Sequence, residues 1–110
     1  MILGADNSFY LDLLAKGAKY FRNGKEIDPL DELLKNKGDV FRIRLWLNPK
    51  DEKGNSYGGG DNDFAMYLKL AKLAQAKGFK IMMNPHFSDF WCDPAKQMKP
   101  KAWEKLSEEE

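Results

Sequence analysis

Cysteine is almost absent from these 110 residues. Cys92 stands alone, so no disulfide can form within the chain and a cysteine-built zinc site has too little to work with. Long apolar runs are missing as well, and none approaches the ~20 residues that span a bilayer. Neither sign of charge prevails: eighteen Lys and Arg face seventeen Asp and Glu, a formal net charge of +1. That balance creates no strong field for nucleic acid or an anionic membrane. Gly4, Ala5 and Asp6 follow Met1 so closely that no signal peptide fits in this chain. No Pro/Ser linker or internal repeat divides it, so residues 1–110 read as one modest domain. With 43% hydrophobic and 32% charged residues the chain is ordinary globular material, and seven Phe, four Tyr and three Trp make it rich in aromatics.

The periodicity alternates between short strand-like and longer helix-like stretches. Ile2 and Leu3 lead into a cap-rich turn, Gly4 to Ser8, and Phe9 to Lys16 has helical spacing (Phe9, Leu13, Leu14) closed by Gly17. Asn23-Gly24 between strand-like flanks predicts a tight hairpin, because a type I′ turn needs positive φ at both residues. Asp28-Pro29 opens a helix with Leu30, Leu33 and Leu34 as its buried stripe and Gly38 at its end. Val40 to Trp46 alternates strictly, with Phe41, Ile43 and Leu45 on one face and Arg42, Arg44 and Trp46 on the other. Asp63 to Lys77 predicts a helix with Phe64, Tyr67, Leu68, Ala71 and Ala74 on one side and Gly78 as its stop. Phe79 to Met83 reads as a third, buried strand, and Ala102 to Leu106 as the beginning of another helix. Strands alternating with helices predict a parallel α/β sheet, whose ligands bind beyond the carboxyl ends of the strands.

The polar residues sit at those ends. Arg42, Arg44 and Trp46 on one strand face fit the inward row of a barrel, where it meets a site; an edge strand with a solvated face is the alternative. His86 follows the third strand, with Asp89 and Trp91 close behind. One histidine with scattered carboxylates does not make a metal site, and Ser88 beside His86 is a poor nucleophilic arrangement. Two readings stay open: a loop fastened by a small aromatic cluster, or a sugar platform in which the indole stacks and the polar groups take hydroxyls. The glycine run Tyr57-Gly58-Gly59-Gly60 lacks both the Lys-Ser/Thr of a P-loop and the GxGxxG order of a dinucleotide fold, so phosphate binding is not expected. The acids at 51, 52, 61, 63 and 108–110 read as solvated caps and surface, so composition and spacing supply no catalytic pair.

Several motifs, taken in order, resemble a known family. They are Gly4-Ala5-Asp6, Arg42-Ile43-Arg44-Leu45-Trp46 with Asn48-Pro49, Tyr57-Gly58-Gly59-Gly60, and His86-Phe87-Ser88-Asp89-Phe90-Trp91-Cys92-Asp93-Pro94 with Pro100-Lys101-Ala102-Trp103. Together they are similar to the opening of glycoside hydrolase family 53, the arabinogalactan endo-β-1,4-galactanases. The resemblance implies the amino-terminal part of a (β/α)8 barrel, about three of eight strand–helix units. It also implies retaining hydrolysis of β-1,4-galactosidic bonds in the galactan side chains of pectin, without a cofactor, by a secreted enzyme. The two catalytic glutamates that it implies, at the ends of the fourth and seventh strands, have no counterpart here. No catalytic role passes to Glu104 or to Glu108–Glu110, and the isolated segment is expected to be inactive. What carries over is substrate wall: Arg44, which resembles a residue supporting the nucleophile, His86 beside the catalytic centre, and Asp89 and Trp91 in the glycone subsites, with Asp6 and Trp46 behind them. Asn84-Pro85 and Phe87 depart from the Asp-Phe and Tyr usual around that histidine. The alternatives are a stand-alone piece that binds galactan or self-associates through open sheet edges, and a different (β/α)8 enzyme with the same strand-exit layout.

Overall fold

A computed structural model describes residues 1–58, 61–107 and 109. Gly59 and Gly60 of the glycine run, and Glu108 and Glu110 of the acidic end, lie outside the described residues. In chain order the elements are β1 (Gly4–Asp6), α1 (Tyr10–Ala15), β2 (Tyr20–Arg22), β3 (Lys25–Ile27), α2 (Pro29–Lys35), β4 (Val40–Leu45), α3 (Phe64–Lys77), β5 (Lys80–Pro85) and a 3-10 turn, Lys101–Trp103. The strands β1, β4 and β5 form one parallel sheet in the order β1-β4-β5, while β2 and β3 make a separate antiparallel hairpin.

Local chemistry explains most of these boundaries. Asn23 and Gly24 take φ of 51° and 77°, as the hairpin turn requires. The Asp28 carboxylate accepts the Leu30 amide at 2.8 Å with Pro29 in the first turn of α2, and Asp63 accepts the Met66 amide at 2.9 Å to start α3. Gly78 closes α3 in the left-handed conformation at φ 103°. Gly38 has a different task from the one its position suggests. Lys37 takes the left-handed conformation after α2, at φ 66°, whereas a Cβ on Gly38 would collide with the Leu33 side chain. Glycine is needed there for close approach.

The register pairs Asp6 with Arg42, Arg42 with Met82 and Arg44 with Asn84, so these side chains share one face of the sheet. Phe41 and Ile43 point the other way, into a core with Tyr10, Leu30, Leu70, Ala74 and Phe79. There the Phe41 and Phe79 rings meet edge-on at 5.4 Å. The helices α1, α2 and α3 each contribute to this core, through Tyr10, Leu30, and Leu70 with Ala74, and the polar residues are left on the opposite face of the sheet.

Four expectations need correction. In α1 the buried residue is Tyr10, whose hydroxyl donates to Asp28 at 3.1 Å, while Leu13 and Leu14 are exposed. The inner stripe of α3 runs through Tyr67, Leu70, Ala71 and Ala74, with Phe64 and Leu68 exposed; the period is right but the face is turned. Far from being buried, β5 is an edge strand with Met82 47% and Met83 53% exposed, because among the described residues only β4 pairs with it. Finally, residues 101–103 form a single 3-10 turn with no buried residue, and a helical stretch without a packed face does not extend.

Candidate functional site

The carboxyl ends of β1, β4 and β5 bring together side chains that are far apart in sequence. Asp6 ends β1. Its carboxylate accepts from Arg42 Nη1 at 2.8 Å, lies 3.2 Å from Arg44 Nε, and takes the Ser8 hydroxyl at 2.5 Å and the Ser8 amide at 3.0 Å. Partial burial alone would raise its pKa. The two Ser8 hydrogen bonds and the two arginines outweigh that and hold the carboxyl below its ordinary value. Asp6 is therefore a fixed anion, unsuited to donating a proton.

Arg44 is only 7% exposed. Its Nε donates to the Ser8 oxygen at 3.1 Å, and the guanidinium carbon lies 4.2 Å from the centroid of Phe9 and 4.5 Å from that of Trp91. A charge this deep needs both its carboxylate and its aromatic neighbours. Asn62 completes the frame: its amide donates to the carbonyls of Ser8 at 3.0 Å and Arg44 at 3.3 Å, and its backbone oxygen accepts from the Trp46 amide at 2.9 Å. One buried side chain thus ties the exits of β1 and β4.

Trp46, 1% exposed, stands behind His86 and Trp91, with ring centroids 5.4 and 5.3 Å away. Its indole Nε1 is buried and has no hydrogen-bond partner among the described residues. The Cys92 amide points at His86 Nδ1 from 3.4 Å, and the Asn84 side-chain amide sits 3.1 Å from Nε2. With Nδ1 accepting, the neutral ring carries its proton on Nε2, so Asn84 must turn its oxygen to that side. Burial, then Arg44 and Arg42, push the His86 pKa below its ordinary 6.5, opposed by Asp6. His86 is thus neutral near pH 7 and presents one donor and one acceptor.

Of the six residues singled out from the sequence, Asp6, Arg44, Trp46, His86 and Trp91 form one contact cluster, and Asp89 stands outside it. The six do not share one hollow. His86 lines one of about 670 Å³ with Arg42, Asn84, Gln97, Lys99 and Trp103, and also the apolar one that Trp46 lines. Asp89 and Trp91 line a neighbouring one of about 300 Å³, Asp6 a lower one of about 180 Å³, and Trp46 an apolar one of about 260 Å³ beside Phe64 and Phe87. Arg44 lines none of these. Asp89 spends its two carboxylate oxygens on backbone amides, those of Asn48 and Lys101, each at 3.0 Å. Ser8, Phe9 and Asn62 belong to the site and were not singled out beforehand. A Ser two residues beyond a strand-ending Asp, and an Asn just before a helix cap, were the available signals. Among the described residues no three His, Cys, Asp or Glu side chains converge as a metal site would require.

Comparison with known proteins adds an independent line. The family model described as Glycosyl hydrolase family 53 matches residues 2–110. An endo-beta-1,4-galactanase of Bacillus subtilis is 43% identical over 107 residues, 96% of this chain and 25% of the relative. An arabinogalactan endo-beta-1,4-galactanase of Cellvibrio japonicus is 38% identical over 96% of this chain and 26% of its own length. The solved catalytic domain of an Ignisphaera aggregans protein superposes with a TM-score of 0.90 at 45% identity, over 96% of this chain and 30% of that one. A fungal beta-1,4-galactanase structure gives 0.78 at 29% identity, over 94% of this chain and 29% of that one. The chain spans about a quarter to a third of the length of the relatives it matches.

Proposed function

The chain belongs to glycosyl hydrolase family 53 and its sheet is part of a (β/α)8 barrel, and from that premise we propose that it forms one wall of the galactan cleft of an endo-β-1,4-galactanase. The observation that supports this most is the contact of Arg44, Trp91, His86 and Trp46 beyond the carboxyl ends of parallel strands, where barrels of this kind carry their chemistry.

Each side chain then has a role. His86, Asn84 and Gln97 line the large hollow; Gln97 and the remaining positions of the Asn84 amide exchange hydrogen bonds with sugar hydroxyls, and His86 orients that amide. Trp91 offers an indole face to a pyranose. Arg44 is a positioning residue that acts through Asp6 and Trp91, and Trp46 backs the histidine. Asp89 fixes the loop that carries Trp91. Retaining hydrolysis needs two carboxyl groups roughly 5 Å apart across the bond. Asp6, held ionised by the Ser8 hydrogen bonds and two arginines, cannot serve as the acid, and Asp89 is occupied by amides; we infer that the reacting pair comes from elsewhere in the barrel and that the chain alone does not hydrolyse. The polymeric substrate places the assembled enzyme outside the cell.

The test is a segment exchange, with this chain replacing the matching quarter of the Bacillus subtilis relative. The chimera should release reducing ends from β-1,4-galactan in preference to mannan or xylan. His86→Ala should lower kcat/KM by about tenfold, the loss of roughly one buried hydrogen bond. A folded chimera that ignores galactan, or is indifferent to His86→Ala, would refute the reading.

A second reading, a module that pairs with another copy, draws on the exposed methionines of β5 and the apolar hollow lined by Leu45, Leu47, Phe64, Pro85 and Phe87. Light scattering decides it: a monomer at all concentrations removes that option.

A further inference from the structure

His86 and Trp91 are neighbours twice over. Their rings meet nearly edge-on, with centroids 5.8 Å apart at 82°. Separately, His86 Nδ1 accepts the Cys92 amide from 3.4 Å. That N–H belongs to the peptide unit joining Trp91 to Cys92, so the bond fixes the plane from which the indole departs. Among the described residues this peptide makes no other hydrogen bond. The loop is fastened on either side of it. Asp89 holds the amides of Asn48 and Lys101, the buried Ser88 gives its carbonyl to the Leu47 amide at 3.1 Å and its hydroxyl to the Phe90 amide at 3.4 Å, and Asp93 bridges to Lys96. Between these fastenings, Trp91 and Cys92 hang on the imidazole.

A neutral imidazole can do this and a charged one cannot. With its proton on Nε2 the ring offers Nδ1 as an acceptor. Once protonated it carries a donor on both nitrogens, and Nδ1–H faces the Cys92 N–H. The bond is then lost and two donors oppose each other. The charges around the ring favour the neutral form at pH 7: Arg44 and Arg42 project from β4 and Lys99 lines the same hollow, while Asp6 at the end of β1 opposes them. Asn84 on β5 is neutral. The Asp89 oxygens are spent on the amides of Asn48 and Lys101, and the Cys92 thiol is directed at the Phe90 carbonyl, 4.0 Å away.

We infer that His86 is a positioning residue for Trp91: the neutral ring holds the Trp91–Cys92 peptide through Nδ1 and so presents the indole against Arg44, and protonation of the ring releases it. The latch stands on this geometry alone; its effect on a saccharide rests on the preceding section.

Amide hydrogen exchange, read residue by residue in heteronuclear spectra, follows the chain from neutral pH down to about 4.5, above the ordinary 3.8 of Asp6. Protection of the Cys92 amide, relative to a free peptide at the same pH, should fall roughly fivefold as the His86 ring takes up its proton, the worth of one ordinary hydrogen bond. The Trp91 indole N–H signal should move in the same step, while the core amides of Ile43 and Leu70 keep their protection. His86→Asn carries an acceptor oxygen at the place of Nδ1 and has no proton to gain, so Cys92 should stay protected at every pH. His86→Gln sets its amide one bond farther out and should leave Cys92 unprotected throughout. The inference is overturned if Cys92 keeps its protection through the His86 titration, if Ile43 and Leu70 lose theirs with it, or if His86→Asn responds to pH as the wild type does. Galactotriose affinity should fall over the same pH range. Release of Cys92 without any galactotriose binding would support the latch and count against the saccharide reading.

Discussion

The two faces of β4 are built from alternate residues of one six-residue strand, yet they obey different rules. On one side Phe41 and Ile43 are fully buried among Leu30, Leu70, Ala74 and Phe79, held by area and fit. On the other, Arg42 and Arg44 are held by named partners: Asp6, Ser8 and the rings of Phe9 and Trp91. Dispersion and burial come from many weak contacts, so the first face tolerates hydrophobic exchange of similar volume. A buried charge depends on a few directional contacts, so the second tolerates very little.

Four predictions test that contrast. The largest effect should come from Phe41→Ala, which leaves a cavity against Phe79 and should cost about 3–5 kcal/mol in urea unfolding. A cost below about 1 kcal/mol would mean that the helix side is not the principal core. Arg44→Leu should cost about 2 kcal/mol, less than a fully broken buried pair because Arg42 and Ser8 still hold Asp6. Its distinguishing mark is in near-ultraviolet dichroism, where Trp91 loses the cation over its face; an unchanged spectrum would argue against that contact.

The third prediction concerns pH. His86 has a folded pKa below its ordinary 6.5, so the unfolded chain binds the proton more readily. Its contribution is complete above pH 6.5 and declines as pH falls below that value. Asp6 and Asp28 have folded values below 3.8, so theirs is complete above that value and is lost as pH falls through the folded range. Urea midpoints should therefore drop in two stages on acidification. His86→Gln should flatten the upper stage and Asp6→Asn should reduce the lower; a single stage in the wild-type chain would contradict the assignment.

Smallest should be Gly24→Ala, about 1 kcal/mol for a left-handed residue in the β2–β3 turn, with no change in the tryptophan signals. A change there would show that the hairpin and the strand exits are coupled.

The parts legible in the sequence were those set by neighbours along the chain. The Asn23-Gly24 turn, the Asp28 and Asp63 caps and the alternation in β4 depend on residues a few positions apart, and each appears where the pattern put it. The inner face of α3 was misjudged because several apolar residues offer two overlapping stripes, and only the sheet decides between them. The candidate site divided along the same line. Arg44, His86 and Trp91 could be picked out as unusual side chains at strand exits, but their meeting depends on register. The place of Asn62 just before the Asp63 cap marks it as a capping neighbour only, because its partner Ser8 is 54 residues away. Asp89 looked like a ligand for hydroxyls, and its oxygens instead hold amides 41 residues before it and 12 after.

That last arrangement has a mechanical consequence. With one carboxylate clasping both Asn48 and Lys101, the segment leaving β4 and the segment approaching the 3-10 turn are coupled like two leaves on one hinge pin. Displacing either pulls on Asp89 and so on the stretch that bears Phe90 and Trp91. The rim therefore swings as one piece, and a longer or shorter insertion in either segment would re-aim the indole without altering any side chain that surrounds it.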